Sequence, residues 1–354
     1  MGIGIALGLL FTGCRTKMVQ DNSPINHFQV IGSHNSYKQA IEPALLDSLK
    51  KKYPQWINGL EYAHISLTDQ LNLGLRNLEL DVYADPEGGK YAHPQGLVWA
   101  PNQTPYNQDS VMNKPGFKIF HMPDIDYRTS AATLAIALSQ LKAWSNAHPR
   151  HFPVFITLEA KNFAGDQATG KLTAKQEETM AAGFDRLDSV LLTGLGASKI
   201  MTPDDVRGKA ESLNQAVLTT GWPALKDARG KFMFILDDHG VKRDCYIKGH
   251  SSLKGRVLFA DAVPGTPESA ALLRNDPHDP QIPGLVKQGY FIRTRADANT
   301  TEARNNDYSR FKAACQSGAQ IITTDYYQPS TFFNSSYHIA FKDDSYRRVN
   351  PLWK

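Results

Sequence analysis

Eight short apolar runs, each closing on a polar or ionisable residue, predict an α/β chain folded as a single (β/α)8 barrel. The barrel is expected to be distorted and to carry a long rim insertion after its second strand. Three observations lead there. The chain has 354 residues and no linker-like composition between Asn26 and Lys354, so one large barrel fits better than two small domains. The runs are near-continuously apolar, as strands buried on both faces of a parallel sheet are. Most are followed by a helical pattern or a long loop, and no glycine-rich loop follows the first run, which disfavours an open doubly wound sheet.

Composition narrows the class further. Hydrophobic residues make up 41% and charged residues 21%, the balance of a protein with a packed core. The net charge of +4 is mild and evenly spread, which excludes nucleic acid as an expected partner. No window approaches the roughly 20 apolar residues of a membrane span.

Met1 to Phe11 is an uncharged apolar run ending in Thr12-Gly13-Cys14. It resembles a bacterial lipoprotein signal, in which small residues precede a cysteine that becomes lipidated. Residues 1–14 are therefore expected to be a signal, 15–26 a polar tether and 27–354 the barrel. Export follows, to the cell envelope as a lipoprotein or to the medium. The remaining cysteines, Cys245 and Cys315, are open to pairing or to staying free.

In chain order, His27–Ser33 is the first strand and delivers His34-Asn35-Ser36-Tyr37. Ala40–Lys52 and His64–Leu73 read as amphipathic helices. Leu75–Val82 is the second strand; side chains two apart share a face, so Glu79 and Asp81 project together. Tyr83–Gly116 is rich in Gly, Pro, Asn and Gln without a sustained period, the mark of a functional loop lying over a site. Phe117–Phe120 is the third strand, ending on His121, and Ser130–His148 is a helix stopped by Pro149. Phe152–Leu158 is the fourth strand and runs into Glu159 and Lys161; Lys175–Leu195 is the next clear helix. Lys231–Leu236, Arg256–Ala260, Tyr290–Ile292 and Ala319–Thr324 complete the set, closing on Asp237-Asp238, Asp261, Arg293 and Asp325. Thr301–Ser317 reads as one helix between the last two.

In such a barrel the strand C-termini build the active site, so the closing residues carry the chemistry. Asn35, Glu79, Asp81 and Glu159 offer only oxygen, three of them as carboxylates. That set suits a hard cation, calcium first and magnesium second, not zinc. Two adjacent carboxylates are costly to bury without such a cation. His34 and His121 are the two groups at strand ends that titrate near neutrality. Together these residues suit a metal-assisted phosphodiester reaction, in which an internal hydroxyl loses its proton to one group and the leaving alkoxide gains one from another.

Ser33-His34-Asn35-Ser36-Tyr37, Arg76-Asn77-Leu78-Glu79-Leu80-Asp81 and Val154-Phe155-Ile156-Thr157-Leu158-Glu159, with His121 between the last two, resemble the X-region of phosphoinositide-specific phospholipase C. Glu79-Leu-Asp-Val-Tyr-Ala-Asp85 and the tail from Arg293-Thr-Arg-Ala-Asp297 through Gly318-Ala-Gln-Ile-Ile-Thr-Thr-Asp325 are similar to its bacterial calcium-dependent branch. The resemblance implies a distorted barrel, calcium held by Asn35, Glu79, Asp81 and Glu159, and catalysis by His34 and His121. It also implies cleavage between diacylglycerol and the inositol phosphate, with the inositol 2-hydroxyl attacking phosphorus to give a cyclic phosphate. Lys161 and Arg293 are the candidates for phosphate or inositol contacts. The expected partners are a phosphoinositide or related phospholipid head group and a membrane surface, met peripherally or through a lipid anchor, by a monomer.

Two other readings compete. A glycerophosphodiester phosphodiesterase uses the same barrel but typically shows His-Arg-Gly at the first strand and His-Asp at the second histidine, where this chain has His34-Asn35-Ser36 and His121-Met122-Pro123. A non-catalytic surface lipoprotein binding inositol or glycan would have no need of both histidines.

Overall fold

The computed structural model describes residues 21–164 and 172–353. The signal expected at Met1–Cys14 and the first half of the tether, 15–20, lie outside the described residues. Asp21–Asn26 rest on the barrel: Asp21 lies 2.6 Å from Arg229, and Ile25 is buried in the core.

The strands are β1 (Phe28–Ser33), β2 (Asn77–Asp85), β3 (Gly116–Ile119), β4 (Val154–Lys161), β5 (Phe232–Leu236), β6 (Phe259–Ala260), β7 (Ala271–Leu273), β8 (Phe291–Arg295), β9 (Ile321–Thr324) and β10 (Arg347–Val349). Eight of them run parallel in the order β6-β5-β4-β2-β1-β9-β8-β7 and curl into a nearly closed barrel. Among the described residues, β6 and β7 are the neighbours that no strand pairing joins, and the barrel opens there.

Two strands lie off the barrel path and account for its distortion. β10 runs antiparallel along Phe28–Val30 of β1, so β1 meets β2 only through Gly32 opposite Asn77. β3 runs antiparallel to the upper part of β2, with Ile119 opposite Val82 and Gly116 opposite Asp85. The apolar run at 117–120 is thus not the third barrel strand that its composition suggests. β2 continues past the mouth to Asp85, and β3 pairs the edge so exposed. The missing barrel strand is β7, three residues long.

The helices arise where the periodicity places them: Pro43–Lys52, Leu67–Leu73 and Leu134–Ala147, each trimmed at one or both ends, and Ala174–Leu195, one residue longer than expected. Thr173 and Gln176 start the last of these with a reciprocal capping box. The expected helix Thr301–Ser317 is two, Thr301–Asn305 and Ser309–Ser317, broken where Asn306 turns left-handed with φ 50°. No helix among the described residues is long and apolar enough to cross a membrane. Cys245 and Cys315 are free thiols.

Alternation along β2 decides what faces where. Leu78, Leu80 and Val82 share one buried cluster with Leu134, Leu138 and Leu141 of the helix outside. Asn77, Glu79 and Asp81 take the opposite face and point into the barrel, where Asn77 donates to Thr157 at 3.0 Å. Below them Phe155 and Phe291 fill the bore with ring centroids 4.8 Å apart.

Gly32 is where this arrangement tolerates no side chain. A Cβ there would lie 2.4 Å from the Asn77 Cβ and 2.7 Å from its carbonyl oxygen. Gly32→Ala should therefore cost about 1–3 kcal/mol by overpacking, read as a thermal midpoint lower by several degrees. An unchanged midpoint would show that β1 and β2 can separate locally at no cost.

Candidate active site

Everything at the mouth hangs on the turn that ends β1. The Ser33 and Ser36 hydroxyls lie 2.5 Å apart, and Gln70 donates its amide to the Ser36 carbonyl at 2.6 Å. The Ser36 hydroxyl in turn accepts the Glu79 backbone N–H at 2.7 Å. Asn35 sits at φ 48°, a left-handed conformation that asparagine tolerates, and so turns the chain sharply over the barrel. Its amide nitrogen donates to the Tyr62 hydroxyl at 2.8 Å, while its oxygen accepts the Tyr37 hydroxyl at 3.0 Å.

His34 projects from this turn with 19% of its side chain exposed. Its Nδ1 lies 2.7 Å from Asp325 Oδ1, directly after β9, and its Nε2 lies 3.5 Å from Glu79 Oε1. The Arg295 guanidinium lies against the ring, 3.3 Å from each ring nitrogen and 3.3 Å from Asp325 Oδ2. Burial pushes the Asp325 carboxyl up, but His34 and Arg295 outweigh it and hold it at about 2. The ring is thus pinned through Nδ1, with Nε2 facing Glu79 and Arg295.

His121 is built the same way from another direction. β3 runs down from the rim, so its end brings His121 to the level of the inward carboxylates. The tight turn Met122–Asp126 then returns Asp126 to it, with Nδ1 2.8 Å from Asp126 Oδ2. Behind them the buried Lys38 lies 3.4 Å from the same oxygen and donates to the backbone carbonyls of Leu60 and Tyr62. The Lys38 ammonium also lies 4.5 Å from the centroid of Tyr62, which links the His121 side of the mouth to Asn35.

Glu79, Asp81 and Glu159 line the mouth between the histidines. Asp81 and Glu159 are direct cross-strand neighbours in the β2–β4 register. Lys161 pairs with Glu159 and lies 3.4 Å from Asp81 Oδ2. Arg293, reaching in from β8, pairs with Glu79 and with Asn275. Burial would raise the Glu79 carboxyl, yet His34, Arg293 and Arg295 keep it below the ordinary glutamate range. Asp81 goes the other way: burial raises it well above the usual range, and Glu159 and Glu79 push it up further against the pull of Lys161. Its Oδ1 is buried without a hydrogen-bond partner. Asp237, at the end of β5, is raised to about 7 by burial against the pull of Arg293.

An oxygen-only donor set with an unpartnered buried carboxylate oxygen fits a hard cation. Even so, among the described residues no three of His, Cys, Asp or Glu converge as a ready-made metal cage. The reason is visible: Lys161 and Arg293 stand among the carboxylates.

All eight residues singled out from sequence therefore stand at one mouth: His34, Asn35, Glu79, Asp81, His121, Glu159, Lys161 and Arg293. Sequence reasoning missed Asp126, Lys38, Tyr62 and Arg295. Arg295 was within reach, since it shares the face of Arg293 two residues earlier on the same strand. Tyr91 and Tyr106 of the rim are half-buried, whereas Val98 and Trp99 are 72% and 52% exposed.

Residues 24–351 match the family described as "Phosphoinositide phospholipase C, Ca2+-dependent". Among solved structures, the chain is similar to a calcium-dependent phosphoinositol-specific phospholipase C from Pseudomonas sp., with a TM-score of 0.55 and 15% identity over 94% of this chain and 97% of that one. It is likewise similar to a Ca2+-dependent phosphatidylinositol-specific phospholipase C from Streptomyces antibioticus, with a TM-score of 0.54 and 18% identity over 86% of this chain and 95% of that one. At such identities the structures speak for the fold, and the family match carries the assignment. No curated protein matches the sequence.

Proposed function

The chain belongs to the Ca2+-dependent phosphoinositide phospholipase C family, and on that premise we propose that it cleaves phosphatidylinositol into diacylglycerol and an inositol cyclic phosphate. The observation that carries this reading is the pair of histidines, each with Nδ1 on a buried carboxylate, which would make Nε2 the nitrogen that exchanges a proton. One histidine takes the proton from the inositol 2-hydroxyl as its oxygen bonds to phosphorus. The bond from phosphorus to the glycerol oxygen breaks, and the other histidine gives that oxygen a proton. Each ring then returns to its starting state by proton exchange.

Asn35, Glu79, Asp81 and Glu159 would hold the calcium. Bound there, it would neutralise phosphate charge and make the attacking hydroxyl more acidic. Arg293 would contact the phosphate or the inositol ring from its seat on Glu79 and Asn275, and Arg295 would add a positive charge beside His34. The substrate sits in a membrane, so the mouth must reach a lipid surface, and Val98 and Trp99 are the exposed apolar residues of the rim best suited to touch it. We further propose that the protein acts as a monomer, exported and tethered through a lipidated Cys14. Cys14→Ser should release it from membranes without altering activity on detergent-dispersed substrate.

The deciding experiment is the product set from labelled phosphatidylinositol with and without a chelator, run beside glycerophosphocholine. Release of diacylglycerol and inositol phosphate, lost on chelation, supports the reading. Turnover of glycerophosphocholine in its place would move the protein to the glycerophosphodiesterases, and no turnover of either would make it a binding protein.

Asp325 is a positioning residue in this scheme, because it touches His34 and not the substrate. Asp325→Asn should lower kcat on the order of a hundredfold or more with KM changed little, since an amide no longer fixes the tautomer. A kcat within a factor of about three of wild type would show that the turn at Asn35 orients His34 without it.

A further inference from the structure

Lys161 stands two residues beyond Glu159 on the same face of β4, and its ammonium pairs with Glu159 and lies 3.4 Å from Asp81. These are two of the three carboxylates assigned to the metal, and they face each other in register. Asp81 is buried and Glu159 half-buried, and a cation between them offsets the repulsion of two like charges side by side. Arg293 does the same for Glu79, but the two cations differ in freedom. Arg293 is 2% exposed and held at a second point by Asn275. Lys161 is 23% exposed and lines a cavity of about 580 Å³ bounded by Tyr83, Tyr91, Phe120 and Lys242. A flexible four-carbon stem beside open space lets this ammonium leave; the Arg293 guanidinium has no such exit.

Resting on the calcium reading above, we infer that Lys161 is an intramolecular counter-cation that occupies the metal position in the calcium-free protein and is displaced when the ion binds. It holds Asp81 and Glu159 together before the metal arrives, and it sets the metal affinity, because the ion must break this pair first. Once displaced into the cavity, the ammonium stands at the mouth beside the phosphate, the contact its sequence position suggested.

The test is calcium titration by calorimetry on the purified protein, its Lys161→Met variant and its Lys161→Arg variant, with thermal midpoints recorded with and without calcium. Lys161→Met should bind calcium on the order of five- to tenfold more tightly, the worth of a partly exposed ion pair no longer in competition. Its midpoint should fall without calcium and rise further on adding it. Lys161→Arg should bind no more tightly than wild type. Wild type that binds calcium, with Lys161→Met binding equally or more weakly, overturns the inference alone. No calcium binding by any of the three overturns it together with the calcium reading.

Discussion

Alanine in place of His34 or of His121 should cut turnover of phosphatidylinositol at least about a hundredfold, the lower end for loss of a general acid or base. The effect should fall on kcat, because each ring offers the substrate a proton path and little contact area. Stability should hardly move. The rings are 19% and 21% exposed, and removing either leaves its buried carboxylate with another cation. Without His34, Asp325 keeps Arg295 at 3.3 Å; without His121, Asp126 keeps Lys38 at 3.4 Å. The double variant should be scarcely slower than either single one, since the two rings act as one acid–base unit. Steady-state kinetics and thermal midpoints on the same preparations check all three statements. A single variant with a near-native rate removes that histidine from the mechanism.

That prediction rests on residues legible in the amino-acid sequence itself. Glu79-x-Asp81 could be placed on an inward face because a period of two on a strand leaves no choice. Their barrel position followed from apolar runs that each closed on a polar residue. What the sequence withheld was direction and distance. Phe117–Phe120 looks the same whether it runs parallel or antiparallel, and only the overrun of β2 to Asp85 decides the matter. β7 is three residues long, and so short a run carries no period to detect. The break at Asn306 escaped for a similar reason, because one residue at positive φ hardly disturbs the apolar spacing on either side.

The carboxylate partners were hidden for another reason. Asp126 lies only five residues beyond His121, yet nothing in the string shows that Met122–Asp126 closes a tight turn. Asp325 was visible as a strand end, but its neighbour in space is 291 residues away. The same holds for Lys161 and Arg293. Their types suggested phosphate contacts; which carboxylates they meet was hidden, Lys161 lying against Asp81 and Glu159 and Arg293 against Glu79. Sequence reports which residues face inward; cross-strand register reports which charges meet.

Exhaustive chelation should abolish turnover, and calcium should restore it better than magnesium. The ligands at hand are three carboxylates and one amide oxygen, arriving from three strands with unequal side-chain lengths. Calcium takes about six to eight such oxygens in irregular, partly bidentate sets at about 2.3–2.6 Å, whereas magnesium demands a near-ideal octahedron at about 2.0–2.1 Å. The unpartnered Oδ1 of Asp81 marks the oxygen that gains most from a cation. Asp81→Asn should therefore weaken calcium binding by at least about tenfold, the loss of one charged ligand among three. The calcium-free fold should not suffer, because burial already works against the Asp81 charge and an amide of the same shape relieves it. The thermal midpoint without calcium should stay equal or rise, and the increment on adding calcium should shrink. Full activity in excess chelator after prolonged dialysis would end the calcium reading. A collapsed Asp81→Asn fold would show instead that the Lys161 pair holds β2 against β4.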